Sequence, residues 1–272
     1  MNRATLVAEI FGKKSFLCVG LDTELSKIPA HLHDAEDPVF EFNRHIIDAT
    51  RDLCVAYKPN LAFYEALGPK GWQSFAKTVD YIGNQHFIIA DAKRGDIGNT
   101  GRLYAEAFFQ QLQCDAVTVA PYMGKDSVTP FLGFDGKWAI VLALTSNPGS
   151  ADFQRDLQET SGEPLWEKVL RVVQTWGTPD NLMFVTGATH PNDFARIRSI
   201  VPDHFLLVPG VGAQGGDLKS ICEHGLNKDC GLLVNASRSI LYASNGLDFA
   251  EKAREEASKL QAEMKPYLVF GV

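Results

Sequence analysis

The chain has 272 residues, 45% of them hydrophobic and 22% charged, and its 26 Lys and Arg against 33 Asp and Glu leave a formal charge of −7. That is the composition of a soluble folded protein able to bury roughly three quarters of its unfolded surface. An acidic chain with both signs interspersed lacks the basic face that nucleic acid or an anionic membrane demands, so any anion it accepts must meet a locally positive site.

At the N-terminus, Glu9, Lys13 and Lys14 interrupt any candidate signal segment, and no apolar run approaches the ~18 residues of a membrane span. Cys18, Cys54, Cys114, Cys222 and Cys230 form no C-x-x-C pair, and an odd number cannot all pair within one chain. The expectation is a cytoplasmic protein with free thiols and no zinc.

Eight short apolar runs follow in chain order, at 15–22, 54–60, 86–93, 115–122, 138–147, 182–189, 205–212 and 231–238. Their starts lie 23 to 44 residues apart, close to the ~30 residues of one strand plus a crossover helix. Helical patterns such as DPVFEFNRHIIDATRDL, NTGRLYAEAFFQQL, PLWEKVLRVVQTW and PNDFARIRSI lie between them, and LDFAEKAREEASKLQAEM ends the series. Strict alternation predicts a parallel sheet with helices outside it. Eight units in one chain favour a closed (β/α)₈ barrel, an α/β fold in a single domain over 1–272, above a doubly wound sheet of five or six strands. The polar stretch 147–163 after the fifth strand is the one long connection, and reads either as a mobile lid or as a disordered insertion.

Each run begins apolar and ends polar, which gathers Asp22, Lys58, Asp91 with Lys93, Thr145 to Asn147, Gly210 to Gly216 and Asn235 to Arg238 at one rim, where barrels hold their chemistry. The densest motif is D-A-K-R-G-D-I-G-N-T, Asp91 to Thr100. Strand alternation puts Asp91 and Lys93 on one face, and Gly95 lets Asp96 return toward them or project to a neighbour. A lysine flanked by carboxylates is held protonated, which suits a general acid and not a Schiff-base lysine. The plain alternative is a solvated ion-pair cluster.

Lys58 would lie beside Asp91 on the neighbouring strand, unless it is an ordinary exposed rim lysine. Asp22 could be a helix cap or loop acceptor. The segment G-V-G-A-Q-G, Gly210 to Gly215, matches the dinucleotide fingerprint but falls on the seventh strand, without an acidic residue ending the eighth. A phosphate cradle between the loops after strands 7 and 8, completed by Gln214 and Arg238, is the better reading. No Walker motif, H-x-x-x-H spacing or G-x-S-x-G elbow is present.

These residues resemble the orotidine 5′-phosphate decarboxylase family, in its longer bacterial form. The resemblance rests on D-x-K-x-x-D at Asp91, Lys93 and Asp96, followed by Ile97 and Thr100, and extends from V-G-L-D at Asp22 through K-P-N-L-A-F-Y-E at Lys58, T-S-N-P-G at Ser146 and P-G-V-G-A-Q-G-G at Gln214 to S-R-S-I at Arg238. Pro59 after Lys58 and Ser237 before Arg238, where many relatives carry glycine, depart from it. The resemblance implies a barrel that decarboxylates orotidine 5′-phosphate to UMP with no cofactor or metal, Lys93 delivering a proton to C6. It implies a homodimer with shared sites, in which Asp96, Ile97 and Thr100 reach into the partner's site. Asp22 and Lys58 would bind ribose hydroxyls, Ser146 the pyrimidine's amide edge, and Gln214 and Arg238 the phosphate.

Two rivals stand beside this: a metal-dependent decarboxylase or epimerase of sugar phosphates on a similar barrel, and a catalytically silent phosphate-ester binder. A cationic Lys58 disfavours a Mg²⁺ ligand set at the second strand, and a mere binder gains little from burying two lysines and two aspartates together.

Overall fold

The computed structural model describes residues 1–159, 161–187, 191–210 and 217–268. Each of the eight apolar runs holds one strand, β3 reaching one residue past its run: β1 Leu17–Leu21, β2 Ala56–Pro59, β3 Phe87–Arg94, β4 Ala116–Val119, β5 Trp138–Leu144, β6 Leu182–Thr186, β7 Phe205–Pro209 and β8 Leu232–Ala236. They pair in chain order, all parallel, and β8 returns to β1 to close the barrel. Side chains on both faces of such a strand are covered, by the interior on one side and by helices on the other, which is why the runs are continuously apolar. Every residue of β1, β2, β4, β6 and β8 is buried.

The outer helices carry the expected stripe. Pro38–Thr50 starts on Asp37, whose carboxylate accepts the Phe40 amide at 3.1 Å, and buries Val39, Phe42, Ile46 and Ile47. Phe249–Met264 packs against it, with Phe42 and Phe249 stacked at 5.2 Å. Two helices not singled out in the sequence, Arg3–Lys13 and Pro69–Ile82, complete this side. The first sits at the end of the barrel where strands begin. Arg3 donates to the carbonyls of Pro179 and Asp203, ahead of β6 and β7, and Trp138 at the start of β5 donates to the Met1 carbonyl. The opposite end, where strands finish, holds the polar residues.

The barrel ladder shifts register between Leu142 and Leu144 of β5, against β6, and again in β3. β3 pairs Ala90 with Val117 and then Arg94 with Val119, so Asp91, Ala92 and Lys93 bulge opposite the single residue Thr118. The segment 147–163, expected as a lid or a disordered insertion, has its own internal structure. Pro148–Asp152 is a short 3₁₀ turn, the Gln154 side chain clasps Thr145 through its amide at 2.8 Å and its hydroxyl at 3.0 Å, and Leu157 bridges to Pro164. Phe153 and Leu157 on it are exposed.

Candidate active site

The strand ends enclose a cleft of about 400 Å³ whose wall includes Asp22, Lys58, Asp91, Asn235, Ser237 and Arg238. Asp22, Lys58 and Asp91 of this wall belong to a chain of alternating charges that Lys93 ends. Lys58 Nζ donates to Asp91 Oδ2 at 2.9 Å and lies 3.8 Å from Asp22 Oδ1, while Lys93 Nζ donates to Asp91 Oδ1 at 2.7 Å. The two lysines differ in access: the Lys58 side chain is 5% exposed and that of Lys93 52%. Lys58 is therefore a fixed buried cation, and Lys93 a cation that can reach a bound molecule.

Burial alone would push the Asp91 carboxyl up and the Lys58 ammonium down. Neighbouring charge outweighs burial in both cases. Lys58 and Lys93 hold Asp91 well below the usual carboxylate range, and Asp91 with Asp22 holds Lys58 above the usual lysine range. An ion pair that survives burial in this way is prepared for a charged reaction, since its groups need not reorganise.

Asp22 is set by the eighth strand. Ser237 Oγ lies 2.6 Å from Asp22 Oδ2 and 3.1 Å from the Gly20 carbonyl, and the Tyr242 hydroxyl donates to the Asp22 carbonyl at 2.9 Å. A Cβ at Gly20 would collide with the Ser237 hydroxyl, so glycine there makes room for this contact. Among the described residues Asp22 caps no helix, and its carboxylate accepts from Ser237 in the loop after β8. Two acceptors at the cleft, Asp22 Oδ1 and Asn235 Oδ1, are buried without a hydrogen-bond partner among the described residues, as expected of groups that receive donors from a bound hydroxylated molecule.

Asp96 stands apart from the cluster. Its Oδ1 accepts the amide of Ile97 at 2.8 Å, and the chain goes on to begin the helix Gly98–Glu106, so among the described residues of one chain Lys93 is ion-paired with Asp91 and not with Asp96. The second aspartate in the alternating series is Asp22. Asp91 and Lys93 do meet, but across the bulge rather than by simple strand alternation, with Lys93 at φ 47°. Ile97 and Thr100 are exposed, as are Leu103, Tyr122 and Met123.

Ser146 follows β5 and lies against Gly187, where a Cβ would come within 2.8 Å of the Ser146 backbone. Arg238 is exposed at the cleft edge and forms no ion pair with any described residue. Gln214 lies outside the described residues. Thr118, which binds both Asp91 and Lys93, was not singled out in the sequence, where a threonine inside an apolar strand reads only as a residue favouring β structure. Among the described residues, no three His, Cys, Asp or Glu side chains converge to hold a metal ion, and no helix is long and apolar enough to cross a membrane.

Residues 15–253 match the family model described as orotidine 5′-phosphate decarboxylase / HUMPS family. An orotidine 5′-phosphate decarboxylase of Phocaeicola vulgatus is 60% identical over 97% of this chain and 98% of its own length, and that of Flavobacterium johnsoniae is 61% identical over 97% of each. The solved structure of Leishmania donovani OMP decarboxylase superposes with a TM-score of 0.80 at 33% identity, covering 96% of this chain and 99% of the other.

Proposed function

The chain belongs to the orotidine 5′-phosphate decarboxylase family, and from that premise we propose how its residues convert orotidine 5′-phosphate to UMP. The observation that carries the reading is the series of alternating charges Asp22, Lys58, Asp91, Lys93 across three neighbouring strand ends of the barrel, buried at Lys58 and Asp91 and accessible at Lys93.

Breaking the bond from C6 to the carboxylate releases CO₂ and leaves the electron pair on C6, in an orbital that the ring's π system cannot delocalise. Stabilisation must therefore be electrostatic and already in place. Lys93, the accessible cation, faces the developing charge and then transfers a proton from Nζ to C6, which balances the step. Asp91, kept anionic by both lysines, holds Lys93 in position and crowds the departing carboxylate until its charge leaves. Lys58 and Asp22 take the ribose hydroxyls. Ser146 reads the amide edge of the pyrimidine. Arg238 and Gln214 take the phosphate, whose binding energy, spent far from the reacting bond, brings the segment 147–163 over the site as a lid.

The functional unit is a homodimer. Asp96 turns away from its own Lys93 beside the exposed Ile97, Leu103, Tyr122 and Met123. An apolar surface of this kind suits a second copy, which would receive Asp96, Ile97 and Thr100 at its own cleft. The five buried free thiols fit a reducing compartment, the cytoplasm.

The test is turnover of orotidine 5′-phosphate by purified protein with no added cofactor, with and without EDTA, followed by loss of orotate absorbance. UMP formation that EDTA leaves unchanged is expected. Absence of turnover in folded protein would overturn the reading, and activity lost with EDTA would favour metal-dependent sugar-phosphate chemistry.

A further inference from the structure

We propose that Thr118 is a positioning residue for this reaction, its hydroxyl holding the strained Lys93 backbone and aiming the Asp91 carboxylate between the two lysines. The inference rests on the roles given above to Lys93 and Asp91.

Three residues of β3, Asp91 to Lys93, stand opposite Thr118 of β4, so part of the regular ladder is missing where the reacting groups lie. Lys93 takes φ 47°, a left-handed conformation that residues with a Cβ rarely hold unless their surroundings impose it. Its amide, turned out of the ladder, needs another acceptor in a buried strand.

Thr118 supplies one. The Lys93 amide donates to Thr118 Oγ1 at 2.9 Å, and Thr118 Oγ1 lies 3.0 Å from Asp91 Oδ1. A hydroxyl has one proton, and the ionised carboxylate can only accept, so that proton goes to Asp91. Lys93 Nζ closes the ring by donating to the same Oδ1 at 2.7 Å. Backbone and side chain of one lysine are thereby tied to the same carboxylate oxygen, the amide through a hydroxyl and the ammonium directly. Thr118 is 1% exposed, which denies solvent the chance to replace it, and it does not line the cleft wall. Its effect must pass through Lys93 and Asp91.

Thr118→Val keeps the shape and removes both hydrogen bonds, while Thr118→Ser keeps the hydroxyl and removes a methyl. Displacing a reacting group by even ~1 Å can cost a hundredfold, so Thr118→Val is expected to lower kcat tenfold to a hundredfold, with KM within about twofold of the parent and a thermal midpoint showing intact fold. Thr118→Ser should restore kcat to within about threefold. If Thr118→Val does not fold, Thr118→Ala takes its place in the comparison. A variant lacking the hydroxyl with kcat within twofold of the parent overturns the proposal, as does Thr118→Ser impaired as deeply as Thr118→Val. Lys93→Ala measured alongside separates the layers: if it retains turnover, the underlying reading fails, whereas if it is dead and Thr118→Val is fully active, only the present inference fails.

Discussion

The two halves of the barrel mouth are built in opposite ways. On the β1 to β4 side, Lys58 and Asp91 are buried, and the polar atoms of Asp91 are matched by Lys58, Lys93 and Thr118. Toward the β8 side, Arg238 stands exposed without an ion pair among the described residues, and Asn235 Oδ1 is buried without a partner. The cluster around Asp91 is complete before any ligand arrives, whereas Asp22 Oδ1, Asn235 Oδ1 and Arg238 are left for a ligand to complete. This division fits a reaction whose barrier falls by preset electrostatics while binding energy comes from a remote phosphate.

Removing the proton donor strikes the preset half hardest. Lys93→Ala should lower kcat by at least about 10⁴-fold, at the upper end of what a positioned general acid contributes, with an unchanged circular dichroism spectrum. Near-parental kcat would mean that the preset cluster is structural only. Asp96→Ala should be similarly inactive if its carboxylate acts in the partner's cleft. Mixing Lys93→Ala and Asp96→Ala chains should then restore about a quarter of the parental activity, because half the dimers are mixed and each carries one intact site. No recovery in chains shown to exchange would place both groups in one protomer's site.

The ligand-completed half should respond differently. Arg238→Ala removes a charged hydrogen-bond donor and should raise KM roughly tenfold to a hundredfold, more than it lowers kcat. An effect confined to kcat would erase the contrast between the halves.

The smallest effect lies beneath both halves and concerns acid. Burial holds His86 and His204, which precede β3 and β7, down at about 4, against an ordinary 6.5, and neither ring nitrogen of His204 has a partner among the described residues. Between those two values the unfolded chain binds more protons than the folded one, so stability falls as pH drops from 6.5 toward 4. The contribution from Asp91, whose folded value is depressed, persists until pH falls below the ordinary 3.8. Loss of activity in the upper window should therefore track the thermal midpoint, and His204→Phe should flatten part of that slope. Activity lost while the midpoint stays constant would point instead to titration within the cluster.

Much of this contrast was legible in the sequence. Strands covered on both faces must be apolar throughout, so eight runs announced eight strands, and the polar residue ending a run marked Asp22, Lys58, Asp91 and Arg238 as rim groups. What escaped depends on atoms distant in sequence. The bulge at Asp91 to Lys93 is defined by Thr118, 25 residues beyond Lys93. The turning away of Asp96 follows from its carboxylate accepting the next amide, a local bond that competes with the long-range one. The helix Arg3–Lys13 buries only Leu6 and Ile10, and its end residues are held by distant partners, Arg3 by Pro179, Asp203 and Asp229 and Lys13 by Arg51 and Cys54, so its own pattern was too thin to read. The bonds that tie 147–163 to the end of β5 likewise depend on Gln154 finding Thr145.

The most direct test crosses the two halves in one experiment: kcat for orotidine 5′-phosphate and the dissociation constant for UMP, measured for Lys93→Ala and Arg238→Ala beside the parent chain. Lys93→Ala should lose turnover while binding UMP within about tenfold of the parent, and Arg238→Ala should bind UMP roughly tenfold to a hundredfold more weakly while keeping most of its kcat. If both substitutions moved kcat and UMP affinity by the same factors, the division between a preset reacting half and a ligand-completed binding half would be contradicted.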